Sequence, residues 1–201
     1  MLRIALAILA ALTVVVSAHA QQKPQRVTGT IEKVDGAMVM LKGKDGAPIT
    51  VKMADNATVV AVIKSSLADI KAGSFVGSTA MPEADGTWKA VEVHIFPESM
   101  RGTGEGDRPF DYHPKSTMTN ATVGDVVSKV EGGTMTMKFK GGEKKIDVVP
   151  STLVVTYIPG NKDELKPGAK VVVLGATKQD DGSFTTARLN VGRDGVAPPL
   201  W

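Results

Sequence analysis

Comparing the chain with itself constrains its fold more than any other property of the sequence. Lys33-Val34-Asp35-Gly36 returns as Lys129-Val130-Glu131-Gly132, and Asp85-Gly86-Thr87-Trp88 returns as Asp181-Gly182-Ser183-Phe184, at one shared offset, 129 − 33 = 181 − 85 = 96. Between these anchors Asp69-Ile70-Lys71-Ala72-Gly73 answers Glu164-Leu165-Lys166-Pro167-Gly168, and Thr58-Val59-Val60 answers Thr152-Leu153-Val154, with slips of one or two residues. A repeat of this size is one supersecondary unit used twice, over residues 27–95 and 123–191.

Within a copy, short apolar or alternating runs are bounded by turn residues, which predicts strands. In the first copy these are 26–34, 38–42, 49–53, 58–64, 75–81 and 88–95, with one helical turn at 66–71 capped by Ser65 or Ser66 and closed by Gly73. Asp-Gly pairs at 35–36 and 85–86 suit tight hairpins, because they tolerate positive φ. About six strands and one helical turn in each copy is what a small closed barrel requires, so the expected fold is all-β, two tandem small OB-like β-barrels. A β-sandwich is the alternative, since alternation fixes strands better than their closure. The repeat also sorts faces: Val91, Val93 and Ile95 match Ala187, Leu189 and Val191 and are expected in the core, with Trp88, Glu92 and His94 facing away.

The expected organisation is a signal peptide at 1–20, OB-like β domain 1 at 21–95, an ordered polar inter-domain loop at 96–122, and OB-like β domain 2 with a C-terminal tail at 123–201. Arg3, an apolar stretch over 4–16 and Ala18-His19-Ala20 read as a secretory signal with a small-x-small cleavage site. The apolar run is shorter than the roughly 20 residues of a spanning helix, so no integral membrane segment is expected after cleavage. The chain has no Cys, which excludes disulfides, thiolate metal sites and a cysteine nucleophile. With 24 Lys+Arg against 21 Asp+Glu the excess of base is slight, and nucleic acid is not expected as a partner. The expected location is periplasmic or secreted.

Residues 96–122 have no hydrophobic periodicity, yet they carry Phe96, Phe110 and Tyr112 among charged side chains, a mixture that suggests an ordered binding or connecting loop. The ligand-binding candidates are His94, Glu98, Arg101, Glu105, Asp107, Arg108, Asp111 and His113, the one region where imidazole, carboxylate and guanidinium groups gather in sequence. Gly102-Thr103-Gly104-Glu105-Gly106 looks like a phosphate loop only superficially, since Pro109 follows and no Gly-Lys-Ser/Thr appears. No serine stands in a nucleophile-elbow context, so catalytic residues are not assigned. Methionine offers a metal alternative: Met38 and Met40 in one copy and Met135 and Met137 in the other alternate along strands, where thioethers could take Cu(I). At the repeat offset Met135 and Met137 align with Val39 and Leu41, which predicts core positions for them instead.

Val27-Thr28-Gly29-Thr30-Ile31, the stretch Leu165-Lys166-Pro167-Gly168-Ala169-Lys170-Val171 and Asp181-Gly182-Ser183-Phe184-Thr185-Thr186-Ala187-Arg188 resemble a bacterial exported family of unknown function. Its members carry tandem OB-like β domains and are sometimes labelled metal transporter components. The resemblance covers nearly all of the chain after residue 20 and implies the fold and an envelope location, without an activity or a site. Locally, Met135-Thr136-Met137-Lys138-Phe139 is similar to the metal-binding strand of periplasmic OB-fold copper and silver chaperones. That family also uses a His and a Trp near the strand, whereas His94 and Trp88 here belong to the other copy.

Together these observations predict a non-enzymatic, soluble periplasmic binding or envelope-assembly module with no cofactor, whose partner is an envelope protein or a small ligand. A periplasmic metal-binding protein and an enzyme with a site between the two barrels are the alternatives.

Overall fold

The computed structural model describes residues 23–111, 113–129 and 132–200, so the expected signal peptide and Tyr112 lie outside the described residues. The chain is all-β; its helical pieces are three-residue 3₁₀ turns, such as Leu67–Asp69 and Glu98–Met100. The first copy gives β1 (Gln25–Asp35), β2 (Met38–Lys42), β3 (Pro48–Lys64), β4 (Phe75–Pro82) and β5 (Trp88–Ile95). A short β6 (Gly106–Pro109) follows, and the second copy gives β7 (Thr117–Lys129), β8 (Gly132–Phe139), β9 (Gly142–Val148), β10 (Leu153–Pro159), β11 (Lys170–Lys178) and β12 (Phe184–Gly192).

The repeated Asp-Gly turns work by one device. Asp85 Oδ1 accepts from the Thr87 amide at 3.0 Å and the Thr87 hydroxyl at 2.7 Å, while Gly86 takes φ +84°. Asp181 does the same for Ser183, at 2.9 and 2.6 Å, with Gly182 at φ +83°. The aspartate fixes the turn and the glycine supplies the left-handed backbone it needs.

Five strands close a barrel: β1 pairs antiparallel with β2 and β11, β2 with β3, β11 with β12, and β12 returns in parallel to β3. The remaining long strands follow the same connectivity. β4 pairs with β5 and β7, β7 with β8 and β8 with β9, and a single parallel bridge, Lys89 to Asp147, joins β9 back to β5.

Each ring therefore takes three strands from one copy and two from the other, so neither ring is closed by residues 21–95 or 123–201 alone. The physical reason is β3. It does not stop after pairing with β2 through Lys52, but runs on to pair with β12 as far as Val62 and with β10 as far as Lys64. At ~3.3 Å per residue, the stretch after Met53 carries the chain roughly 35 Å. The hairpin β4–β5 is thus delivered to β7–β9, and β10, antiparallel to β3, returns β11–β12 to β1–β3. All twelve strands join one continuous sheet.

The cores follow this exchange. Ile31, Leu41, Val51 and Met53 pack with Val171, Val173, Leu189 and Val191 in the first. Val76 and Val93 pack with Val123, Met135, Met137 and Ile146 in the second. A smaller cluster of Val62, Val155 and Tyr157 lies where β3 meets β10.

The expected face of β5 holds for Val93 and Ile95 but not for its first half. Glu92 pairs with Thr79 and Ala90 with Ala80, so Val91 is a bulge residue outside the core and the phase reverses there. Trp88 and Ala90 then pack on the second core. At the matching place in β12, where Ala187 is exposed, the irregularity belongs to the partner strand: Thr186 pairs with Met53 and Arg188 with Thr58, so the extra residues are in β3. The expected loop 96–122 also carries strand: β6 pairs with β7, and β7 starts at Thr117.

Candidate functional site

One row of residues crosses five strands. Val155 of β10 lies beside His94 of β5, His94 beside Gly77 of β4, Gly77 beside Asn120 of β7, and Asn120 beside Gly106 of β6. Glycine in the middle of this row is a spatial requirement. A Cβ at position 77 would overlap His94 Nε2 and stand 2.6 Å from Asn120 Oδ1, so the imidazole and the amide both lean over the bare backbone of β4. His94 faces away from the second core, as expected from alternation, but it is buried there, edge-on to Phe96 at 4.8 Å and to Tyr157 at 5.9 Å.

Two atoms of this row have no hydrogen-bond partner: His94 Nδ1 and Asn120 Oδ1. Asn120 spends its amide nitrogen on the Thr103 carbonyl, 3.0 Å away, which ties the Gly102–Gly106 loop to β7. Burial and the nearby Arg108 charge push the His94 imidazole down to about 3, so it is neutral near pH 7. Burial and the Glu92 carboxylate raise the Tyr157 phenol, which stays protonated. Glu92 is itself buried and raised by desolvation, although it accepts from Thr79 Oγ1 at 2.9 Å and from the Leu200 amide of the tail at 3.2 Å.

His94 and Asn120 line a pocket of about 290 Å³ together with Tyr157, Arg108, Arg188 and Asn190. Its apolar wall includes Phe96, Met100, Phe110, Met118, Leu174 and Leu200. Arg188 and Asn190 of β12 stand at the repeat offset from Glu92 and His94, 188 − 92 = 190 − 94 = 96, so equivalent outward faces of the two copies line one space. Arg188 Nε donates to Asn190 Oδ1 at 3.2 Å and its Nη2 lies 3.4 Å from Met100 Sδ. Arg108 Nη1 donates to the Gly104 carbonyl at 2.8 Å. Neither guanidinium forms an ion pair with a carboxylate among the described residues, and no Asp or Glu lines the pocket.

No protein family, curated protein or solved structure matches the chain. The geometry alone carries the functional reading.

Of the candidates read from the sequence, the structure brings His94 and Arg108 to this pocket and places the others elsewhere. Glu98 pairs with Arg101, whose Nη2 also donates to the Gly73 carbonyl at 2.8 Å, fastening the connection after β5 to the turn before β4. Asp107 accepts from Lys144 Nζ at 3.1 Å and Thr119 Oγ1 at 2.6 Å, and the same ammonium sits 3.4 Å over the Trp88 ring. Glu105 accepts from the Lys140 amide at 3.1 Å, and Asp111 faces Arg26 at 3.6 Å. His113 is exposed in the turn between β6 and β7. These carboxylates have structural partners, and among the described residues no three His, Asp or Glu are grouped as metal ligands.

Met135 and Met137 are fully buried in the second core, at the positions the repeat assigns them. Met38 and Met40 alternate with core residues Val39 and Leu41 and are half-buried on the opposite face of β2. Sequence reasoning missed Arg188, Asn190, Asn120 and Tyr157. The repeat alignment of Arg188 and Asn190 with Glu92 and His94 was the signal that could have found two of them.

Proposed function

We propose that this chain is a non-enzymatic, exported binding protein for a small organic anion, held in the pocket beside Arg108 and Arg188. The observation that carries this reading is the convergence of two guanidiniums on one pocket without a carboxylate to neutralise them. Arginine matches carboxylate and phosphate geometry with paired donors, and two unpaired cations at one mouth draw anions toward it.

The neutral groups complete the fit. His94 and Asn120 add uncharged polar side chains to the lining. The same groups argue for holding rather than turnover. His94 is neutral far above its pKa of about 3 and Tyr157 is held protonated, so neither is poised to exchange a proton near neutral pH. The signal-like N-terminus, with Ala18-His19-Ala20 before the repeat, supports export.

Calorimetric titration with benzoate, inorganic phosphate and neutral benzamide tests this. Benzoate or phosphate binds, and benzamide binds at least about tenfold more weakly, as expected for charge-assisted hydrogen bonds. Arg108→Gln and Arg188→Gln each weaken the anion by about 10–100-fold. Equal affinity for benzoate and benzamide, or a double variant that binds as well as the wild type, overturns the reading.

A further inference from the structure

A second, larger space adjoins the pocket. It is a groove of about 620 Å³ whose wall is mainly apolar, with Ala57, Val59 and Val60 from β3, Pro97 after β5, and Ile158 and Pro159 from β10. Met100, Tyr157 and Arg188 line both spaces. These three side chains form a wall shared by the two spaces, and within it the Met100 thioether lies against the Arg188 guanidinium at 3.4 Å. Methionine is unbranched and adapts its rotamer readily, so this wall yields more easily than a branched or aromatic one.

Charge is distributed alike on both sides. The pocket carries Arg108 and Arg188, the groove carries Arg188 and Lys162, and no Asp or Glu lines either space. An apolar trough that meets a carboxylate-free cationic pocket, with a shared arginine at the junction, is complementary to one kind of molecule. The head must be anionic and the body must be a hydrocarbon chain.

We propose that the ligand is a single-chain amphiphilic anion, its headgroup at Arg188 and Arg108 and its alkyl chain lying along the groove walled by β3 and β10. This rests on the small-anion reading above and names the ligand class of the same site. His94 and Asn120 line the head end, and the apolar residues of β3 and β10 line the tail end. Burial of each methylene along the groove raises affinity by about fourfold, the equivalent of roughly 0.8 kcal/mol.

The test is titration of the full chain, as purified after export, with n-alkanoates from acetate to tetradecanoate, and with n-decanol as the uncharged counterpart of decanoate. Affinity rises with each added pair of carbons by about fifteenfold and levels off once the groove is full, and decanoate exceeds decanol by at least about tenfold. Ser99→Trp, at an exposed position on the groove wall, flattens the chain-length series while far-ultraviolet circular dichroism and the melting temperature stay those of the wild type. Acetate, benzoate and decanoate binding with one affinity, all weakened by Arg188→Gln, overturns the amphiphile and leaves the small-anion reading standing. Decanol binding as tightly as decanoate overturns it as well, because the head then contributes nothing. If no alkanoate of any length binds, the inference fails, and the benzoate, phosphate and benzamide titrations decide the small-anion reading separately.

Discussion

At the scale of single residues, His94 is kept neutral by where it sits. Its folded pKa is pushed to about 3 against 6.5 for the free side chain, first by burial and then by the Arg108 charge. Between those values the unfolded chain takes up a proton that the folded chain refuses. Stability from this residue is therefore complete above about pH 6.5 and is lost as pH falls toward 3, at up to about 1.4 kcal/mol per pH unit. Glu92 acts in the opposite sense. Its carboxyl is raised by burial, so protonation as pH falls through the raised value favours the folded chain. Comparing wild type with His94→Gln cancels Glu92 and every other acid common to both. Urea unfolding at pH 7, 6, 5 and 4 should show the stability advantage of wild type over the variant shrinking steadily below pH 6.5. An advantage that stays constant from pH 7 to pH 4 means the imidazole is not held neutral.

At the scale of elements, the site exists because three strands set one row of residues side by side. β5 presents His94, β7 presents Asn120, and β4 between them presents no side chain at Gly77. Gly77→Ala forces a methyl group into the place of His94 Nε2, and overpacking of this kind costs about 1–3 kcal/mol. Denaturant unfolding should show that loss together with loss of benzoate binding. The double variant Gly77→Ala/His94→Ala recovers part of the stability, because the ring that met the methyl group is gone. If Gly77→Ala is neutral in both assays, the row is not packed as described.

Most strands were legible from sequence, since alternation and Asp-Gly turns are local signals and the turns at Asp85 and Asp181 formed as read, but the expected separate strands 49–53 and 58–64 are one continuous β3. The bulge at Val91 was not, because Trp88, Ala90, Val91 and Val93 offer apolar residues in both phases. Nor was the pocket: Arg188 and Asn190 look like ordinary solvent-face residues until the opposite copy's His94 is known to stand across from them. The polar loop that drew attention in sequence contributes Arg108, and its carboxylates serve instead as anchors to Arg101, Lys144 and Arg26.

At the scale of the whole molecule, the exchange of strands between copies decides both the cores and the site. Sequence alternation states which face of a strand is buried but not which neighbour buries it, so two copies with the same pattern can close with their own last hairpin or with each other's. Here β3 is long enough to settle the matter: it carries β4–β5 away from β1–β3, and β10 mirrors it in returning β11–β12. The outward faces of β5 and β12 meet beside the β3–β10 pair, which is why His94 from one ring and Arg188 from the other line a common pocket. The exchange makes a thermodynamic prediction that does not depend on any ligand. Val93 of β5 shares a core with Met137 of β8, whereas Leu41 of β2, its neighbour if each copy closed on itself, lies in the other core. Alanine truncations at Val93 and Met137 should therefore be coupled, with an interaction energy of about 0.5–3 kcal/mol in a double-mutant cycle, while those at Val93 and Leu41 should add within about 0.5 kcal/mol. Coupling of Val93 to Leu41 with additivity toward Met137 is the signature of copies closed on themselves, and in that arrangement the pocket beside Arg188 would not form.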